Sequence, residues 1–144
     1  AHSNVKFGTL TGSEAGLTNA VNNALADAGM TIDDIDAVFG FANGMKAVDD
    51  VEIKGLTAVF GDKLAEKPVV ELKEVLGESR AAAATTAAAH AALMFAGKIP
   101  SQEAYSIAAD GSVSKTNVEA SKLNNVLVVA YGAGGSYTAI VLSK

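Results

Sequence analysis

Between Ala81 and Ala92 the sequence reads AAAATTAAAHAA, nine alanines and two threonines around one histidine. No other stretch narrows the choice of folds so far. Alanine is the strongest helix former and its methyl group adds almost no bulk. The spacing therefore predicts a helix over 81–95, closed by Gly97 and Pro100, whose backbone can approach its neighbours very closely. A surface helix rarely needs that property, whereas a helix buried between sheets does. The run is also too weakly apolar for a membrane span of about 20 residues, because Thr85, Thr86 and His90 interrupt it.

The rest of the chain supplies the strands and the other helices. From Thr11 to Gly29, Leu17, Val21, Ala24, Leu25 and Ala28 recur at the helical period, with Ser13 able to cap the start and Gly29 placed to end the helix. After an acidic turn, Ile35 to Phe41 is nearly continuously apolar, as expected of a strand covered on both faces. Gly44 marks a turn, Val51 to Phe60 a second helix ending at Gly61, and KPVVEL a short strand after Pro68. Val126 to Ala130 and Tyr137 to Leu142 read as two strands joined by a glycine-rich turn. The expected order is helix, strand, helix, strand, helix, strand, strand. That is an α/β chain with a mixed sheet and helices on both faces, without repeat or linker, so residues 1–144 are expected to form a single unit.

Composition removes several functions. With 144 residues, 49% hydrophobic, and a mean hydropathy of +0.26, the chain can fill a core and is too apolar to be disordered. A net charge of -5 without any basic run argues against a nucleic-acid partner. The lack of cysteine excludes a thiol nucleophile, a disulfide framework and a thiolate metal site in this chain, and fits a cytoplasmic protein. Two histidines, His2 and His90, are too few and too far apart for a metal cluster, so neither metal nor cofactor is expected. GAGGS, from 132 to 136, is a poor phosphate cradle because a strand follows it rather than a helix. No secretory leader or membrane segment is recognisable, and a first residue other than Met leaves room for a preceding piece.

Four segments carry a resemblance. DIDAVFGFANGMKAVDDVEIKGLTAVFGD is similar to a strand, a His-Gly-Thr-Gly-Thr loop and an acidic helix ending in Phe-Gly. ELKEVLGESRAAAATTAAAHAALMFAGKIP is similar to a Lys-Ser-x-x-Gly-His segment with a small-residue helix and a terminal Ile-Pro. YGAGGSYTAIVL resembles a closing Gly-Phe-Gly-Gly-x-Asn-Ala hairpin, and GSEAGLTNAVNNALADAGMTIDDID the helix and acidic turn ahead of the histidine loop. In this order and spacing, from about Ser13 to the last residue, they resemble the C-terminal half of a β-ketoacyl synthase, a thiolase-fold condensing enzyme. The resemblance implies an α-β-α-β-α sandwich that another chain, carrying the N-terminal half, completes.

The same resemblance implies a degenerate site. In that family a cysteine thiolate holds the acyl chain, and two histidines stabilise the enolate formed as carbon dioxide leaves. Here the two histidine positions are Asn43 and Glu78, and the cysteine belongs to the half not present in this sequence. Asparagine can still donate to an oxyanion, but an ionised carboxylate only accepts and repels one. Lys73 matches a lysine that the family keeps near its site, where it would form a structural pair with Glu78 or Glu52, and Ala133 stands where catalytic members carry a gating phenylalanine. Met45 with Lys46 replaces small hydroxyl residues and would narrow a substrate pocket, which Ala133 and Gly134 would also line. Each position has a plainer reading as well: Asn43 as a turn residue before Gly44, Glu78 as a carboxylate favoured near a helix start, Lys73 as a surface lysine, His90 as a core or interface residue.

Together these features lead to an expected non-catalytic ketosynthase-like subunit of the chain length factor kind, shaping the acyl tunnel of a type II polyketide, aryl-polyene or fatty acid system. Its expected partners are a chain with the N-terminal thiolase half, an active ketosynthase subunit and acyl carrier protein. The alternatives are an active condensing or thiolase-like acyltransferase, using Asn43 and Glu78 with a cysteine from the N-terminal half, and a stand-alone small-molecule binding module.

Overall fold

A computed structural model of the chain describes residues 2–4, 12–78, 82–132 and 135–144. Its strands are β1 (His2–Asn4), β2 (Ala37–Phe39), β3 (Val69–Val70), β4 (Ser101–Ile107), β5 (Val113–Glu119), β6 (Asn125–Gly132) and β7 (Ser136–Ser143). The α-helices are α1 (Glu14–Ala28), α2 (Lys46–Phe60), α3 (Lys73–Leu76) and α4 (Ala83–Phe95). All seven strands share one sheet in the order β1-β7-β6-β2-β3-β4-β5. The β2 strand runs parallel to both its neighbours, β3 and β6, while every other pairing is antiparallel, so the sheet is mixed as expected.

Alternation along the central strands divides the core in two. Val38, Val69, Leu127 and Val129 point to one face, where α1 lays down Leu17, Ala20, Val21, Ala24 and Leu25, and α2 adds Leu56 and Phe60. Ala37, Phe39, Val70, Val126 and Val128 point to the other, against Ala87, Ala91 and Met94 of α4. Both helices of the first face are terminated as read. The Ser13 hydroxyl accepts from the Gly16 N–H, and Gly29 closes α1 at φ 65°, in the left-handed region open to glycine.

The structure departs from expectation in three places. First, α2 starts at Lys46 rather than Val51, because the Met45 carbonyl already accepts from the Val48 and Asp49 N–H groups and Val48 is buried. Second, an antiparallel hairpin, β4 with β5, intervenes between α4 and β6. Its side chains are mostly polar and exposed, with Ala104, Ile107 and Val118 alone buried, so the period-2 signal that would announce two strands is nearly absent. Third, β1 at one sheet edge and the single turn of α3 were not read from the sequence. As expected of a half that another chain completes, the described residues cover α4 on one side and leave the other open. Ala82, Thr85, Ala89, Ala92 and Leu93 form an exposed stripe along it, Leu93 being 47% exposed.

Candidate functional site

The site gathers where β2 ends. The chain leaves the sheet at Gly40, passes through Phe41, Ala42 and Asn43, and turns at Gly44, whose φ of 82° suits glycine, into α2. Asn43 is held from both sides: its N–H donates to Asp49 Oδ1 at 3.0 Å, and its Oδ1 accepts from the Met45 N–H at 3.1 Å. The second contact is the asparagine turn read from the sequence.

Asn43 meets two residues from the segment that follows β3 here. Asn43 Nδ2 donates to Glu78 Oε2 at 3.3 Å, and Lys73 Nζ lies 3.1 Å from the same oxygen. Lys73 Nζ also donates to the Phe41 carbonyl at 2.9 Å. The lysine side chain is 13% exposed, so it is not a surface lysine, and it pairs with Glu78 rather than standing free. The structure thus joins Asn43, Lys73 and Glu78. In this trio Glu78 is the acceptor of both contacts, the reverse of the donor role a histidine fills at an enolate.

Below the trio lies a feature that sequence reasoning missed. Glu52, 2% exposed on α2, accepts from the Phe41 N–H through Oε1 at 2.6 Å and from the Ala42 N–H through Oε2 at 2.8 Å. Glu71, which follows β3, faces it. Both Oε1 atoms crowd the point where Gly40 would carry a Cβ, so only glycine leaves room for the pair. Burial pushes both carboxyls up, Glu71 furthest, since the charge of Glu52 adds to its burial while two backbone N–H groups support the ionised form of Glu52. A cleft of about 230 Å³ opens beside them, walled by Ile53, Val69, Ile107 and Val113, with Tyr105 and Glu74 hydrogen-bonded to one another at 2.6 Å on its rim. A signal for Glu52 did exist: it sits between Val48 and Leu56 on the buried stripe of α2, where an aliphatic residue belongs.

The other predicted residues fall elsewhere. Met45 is half exposed at the start of α2. Ala133 and Gly134 lie outside the described residues. His90 is partly buried on α4 with its ring centroid 6.1 Å from that of Phe39, and burial lowers its pKa. Beside the site Phe41, Tyr131 and Tyr137 pack as a ring trio with centroids 5.3 to 6.2 Å apart, and the Tyr137 hydroxyl accepts from the Ser13 N–H, tying α1 to β7. Among the described residues no group of His, Cys, Asp or Glu is arranged to hold a metal ion, and no helix is long and apolar enough to cross a membrane.

A mixed sheet sandwiched by α1 and α2 on one face and a small-residue helix on the other, with its site at the exit of the central parallel strand, is the thiolase-like fold of ketosynthases in its C-terminal half. Residues 2–106 match the family described as beta-ketoacyl synthase, C-terminal domain, and the chain belongs to that family. A Streptomyces coelicolor protein bearing the name polyketide beta-ketoacyl synthase 2 is 31% identical over 134 residues, 92% of this chain and 32% of that protein. The chain spans about a third of the length of the curated relatives it matches. Among solved structures, the ishigamide ketosynthase/chain length factor superposes with a TM-score of 0.82 at 24% identity, covering 99% of this chain and 36% of that one. The AntDE:AntF complex, a type II PKS acyl-carrier protein with its ketosynthase bound to the hexaketide, superposes with a TM-score of 0.73 at 16% identity, covering 99% and 37%.

Proposed function

We propose that the chain is the C-terminal half of a non-catalytic, chain-length-factor-like subunit that pairs with an active ketosynthase and helps to shape the tunnel in which an acyl chain grows on acyl carrier protein. One observation carries this reading. The two positions where the resemblance places histidines hold Asn43 and Glu78, bonded to one another and to Lys73. A carboxylate fixed as acceptor beside the place of an enolate repels it, so the arrangement disfavours decarboxylative condensation. The exposed stripe of α4 and the length of the relatives support a further polypeptide on that face. The neighbours' printed descriptions, one a ketosynthase/chain length factor and the other an acyl-carrier protein with its ketosynthase, fit such a partnership.

The test uses the chain together with the polypeptide that carries the N-terminal half. Its elongation of an acyl group on acyl carrier protein is assayed alone and with its co-purifying ketosynthase. No condensation alone, and products that change in length when Met45 is enlarged in the pair, are expected. Condensation by the protein alone that is lost on Glu78→Gln would instead establish the active-enzyme alternative.

A further inference from the structure

We propose that Glu52 and Glu71 act as a one-proton clip, which holds the turn from Phe41 to Asn43 in place while a single proton is shared between them and loosens it when that proton leaves. The two carboxyls meet across Gly40, where both Oε1 atoms occupy space that any side chain would fill. Glu52 is the ionised partner by geometry, since Oε1 and Oε2 accept from the Phe41 and Ala42 N–H groups. Glu71 is the protonated one. Its Oε2 is sealed from water without a hydrogen-bond partner, a position tolerable for a neutral carboxyl and very costly for a charged one.

The groups facing the pair determine the direction of the switch. From α2, Asp49 adds negative charge, and it also accepts from the Asn43 N–H. From α3, Lys73 draws the Glu71 carboxyl down, though less than burial and Glu52 push it up. Glu74 of α3 and Tyr105 of β4 line the cleft but are occupied with one another. Below the titration of the pair, one proton and one charge share the site. Above it, two adjacent carboxylates repel in a poorly solvated place. Relief comes from moving Glu52 or Glu71 outward, and moving Glu52 releases the Phe41 and Ala42 N–H groups. Asn43 moves with them, because it follows directly in the chain.

Hydrogen–deuterium exchange on the chain in complex with the polypeptide that carries the N-terminal half tests this, followed by mass spectrometry from about pH 5 to about pH 9 and normalised to intrinsic rates at each pH. Wild type is expected to lose protection about tenfold or more in the peptide covering Phe41 to Asn43 as pH rises, while α1 keeps its protection. Glu71→Gln keeps the size of the side chain and a donor for Glu52, so it should fold and hold that peptide protected at every pH. Equal pH dependence in wild type and Glu71→Gln, or no loss of protection in wild type, overturns the proposal.

Discussion

Glu52 stands on the apolar stripe of α2 between Val48 and Leu56, and its carboxylate replaces the backbone partners that Phe41 and Ala42 lose on leaving the sheet. A residue-scale prediction follows from that exchange. Glu52→Ala leaves the N–H groups of buried Phe41 and part-buried Ala42 unpaired and should lower stability by about 2–4 kcal/mol, read from denaturant unfolding. Glu71 should behave in the opposite way. Its carboxyl is held above the ordinary value of 4.5, so between that value and its folded pKa the unfolded chain releases a proton that the folded chain keeps. Stability must therefore fall as pH rises through this window, and none of the loss occurs below it. Glu71→Gln removes that slope, so unfolding midpoints measured from acid to neutral pH should decline for wild type and stay flatter for the variant. Of this local arrangement the sequence disclosed the turn at Asn43 and Gly44. It did not disclose the partnership of Glu52 with Glu71, because residues so far apart in sequence meet only through the parallel pairing of β2 with β3.

At the scale of elements, legibility followed burial. The α1 helix, capped by Ser13 and Gly29, was readable because one stripe is fully buried and both ends carry capping residues. The β6 and β7 strands were readable because their apolar residues face two cores, although their true bounds extend to Asn125–Gly132 and Ser136–Ser143. The β4–β5 hairpin escaped because it forms one end of the sheet and remains largely solvated, held by its ladder rather than by an apolar face. The α4 helix was legible as a helix and as close-packing, and the described residues cover one of its faces and leave the other open. The two faces should therefore respond differently to substitution. Ala91→Leu, at a fully buried position against the sheet, should overpack the core and cost about 1–3 kcal/mol in thermal or denaturant unfolding. Ala89→Arg, on the exposed stripe, should leave the fold of this half intact and reduce co-purification of the polypeptide proposed to cover that face.

For the whole molecule, the sequence determined membership. Strand and helix order, the glycine hairpin, the small-residue helix and the histidine positions all lie in linear register, so the β-ketoacyl synthase resemblance was visible before any coordinate, and the family match agrees with it. Composition likewise determined that the chain lacks cysteine, since no folding can supply a residue that is not encoded. The tertiary structure alone decided that Asn43 and Glu78 meet. Asn43 and Glu78 are 35 residues apart, and their contact, with Lys73 between them, exists because β2 and β3 lie side by side and deliver their following turns to one end of the sheet. The same holds for the buried carboxyl pair. A glutamate in the sequence is by default a solvated charge, and it becomes a proton-sharing partner only where packing removes water and brings a second carboxyl against it. Local patterns report which face of an element is apolar, whereas the encounter of two polar groups across a core depends on every element that lies between them.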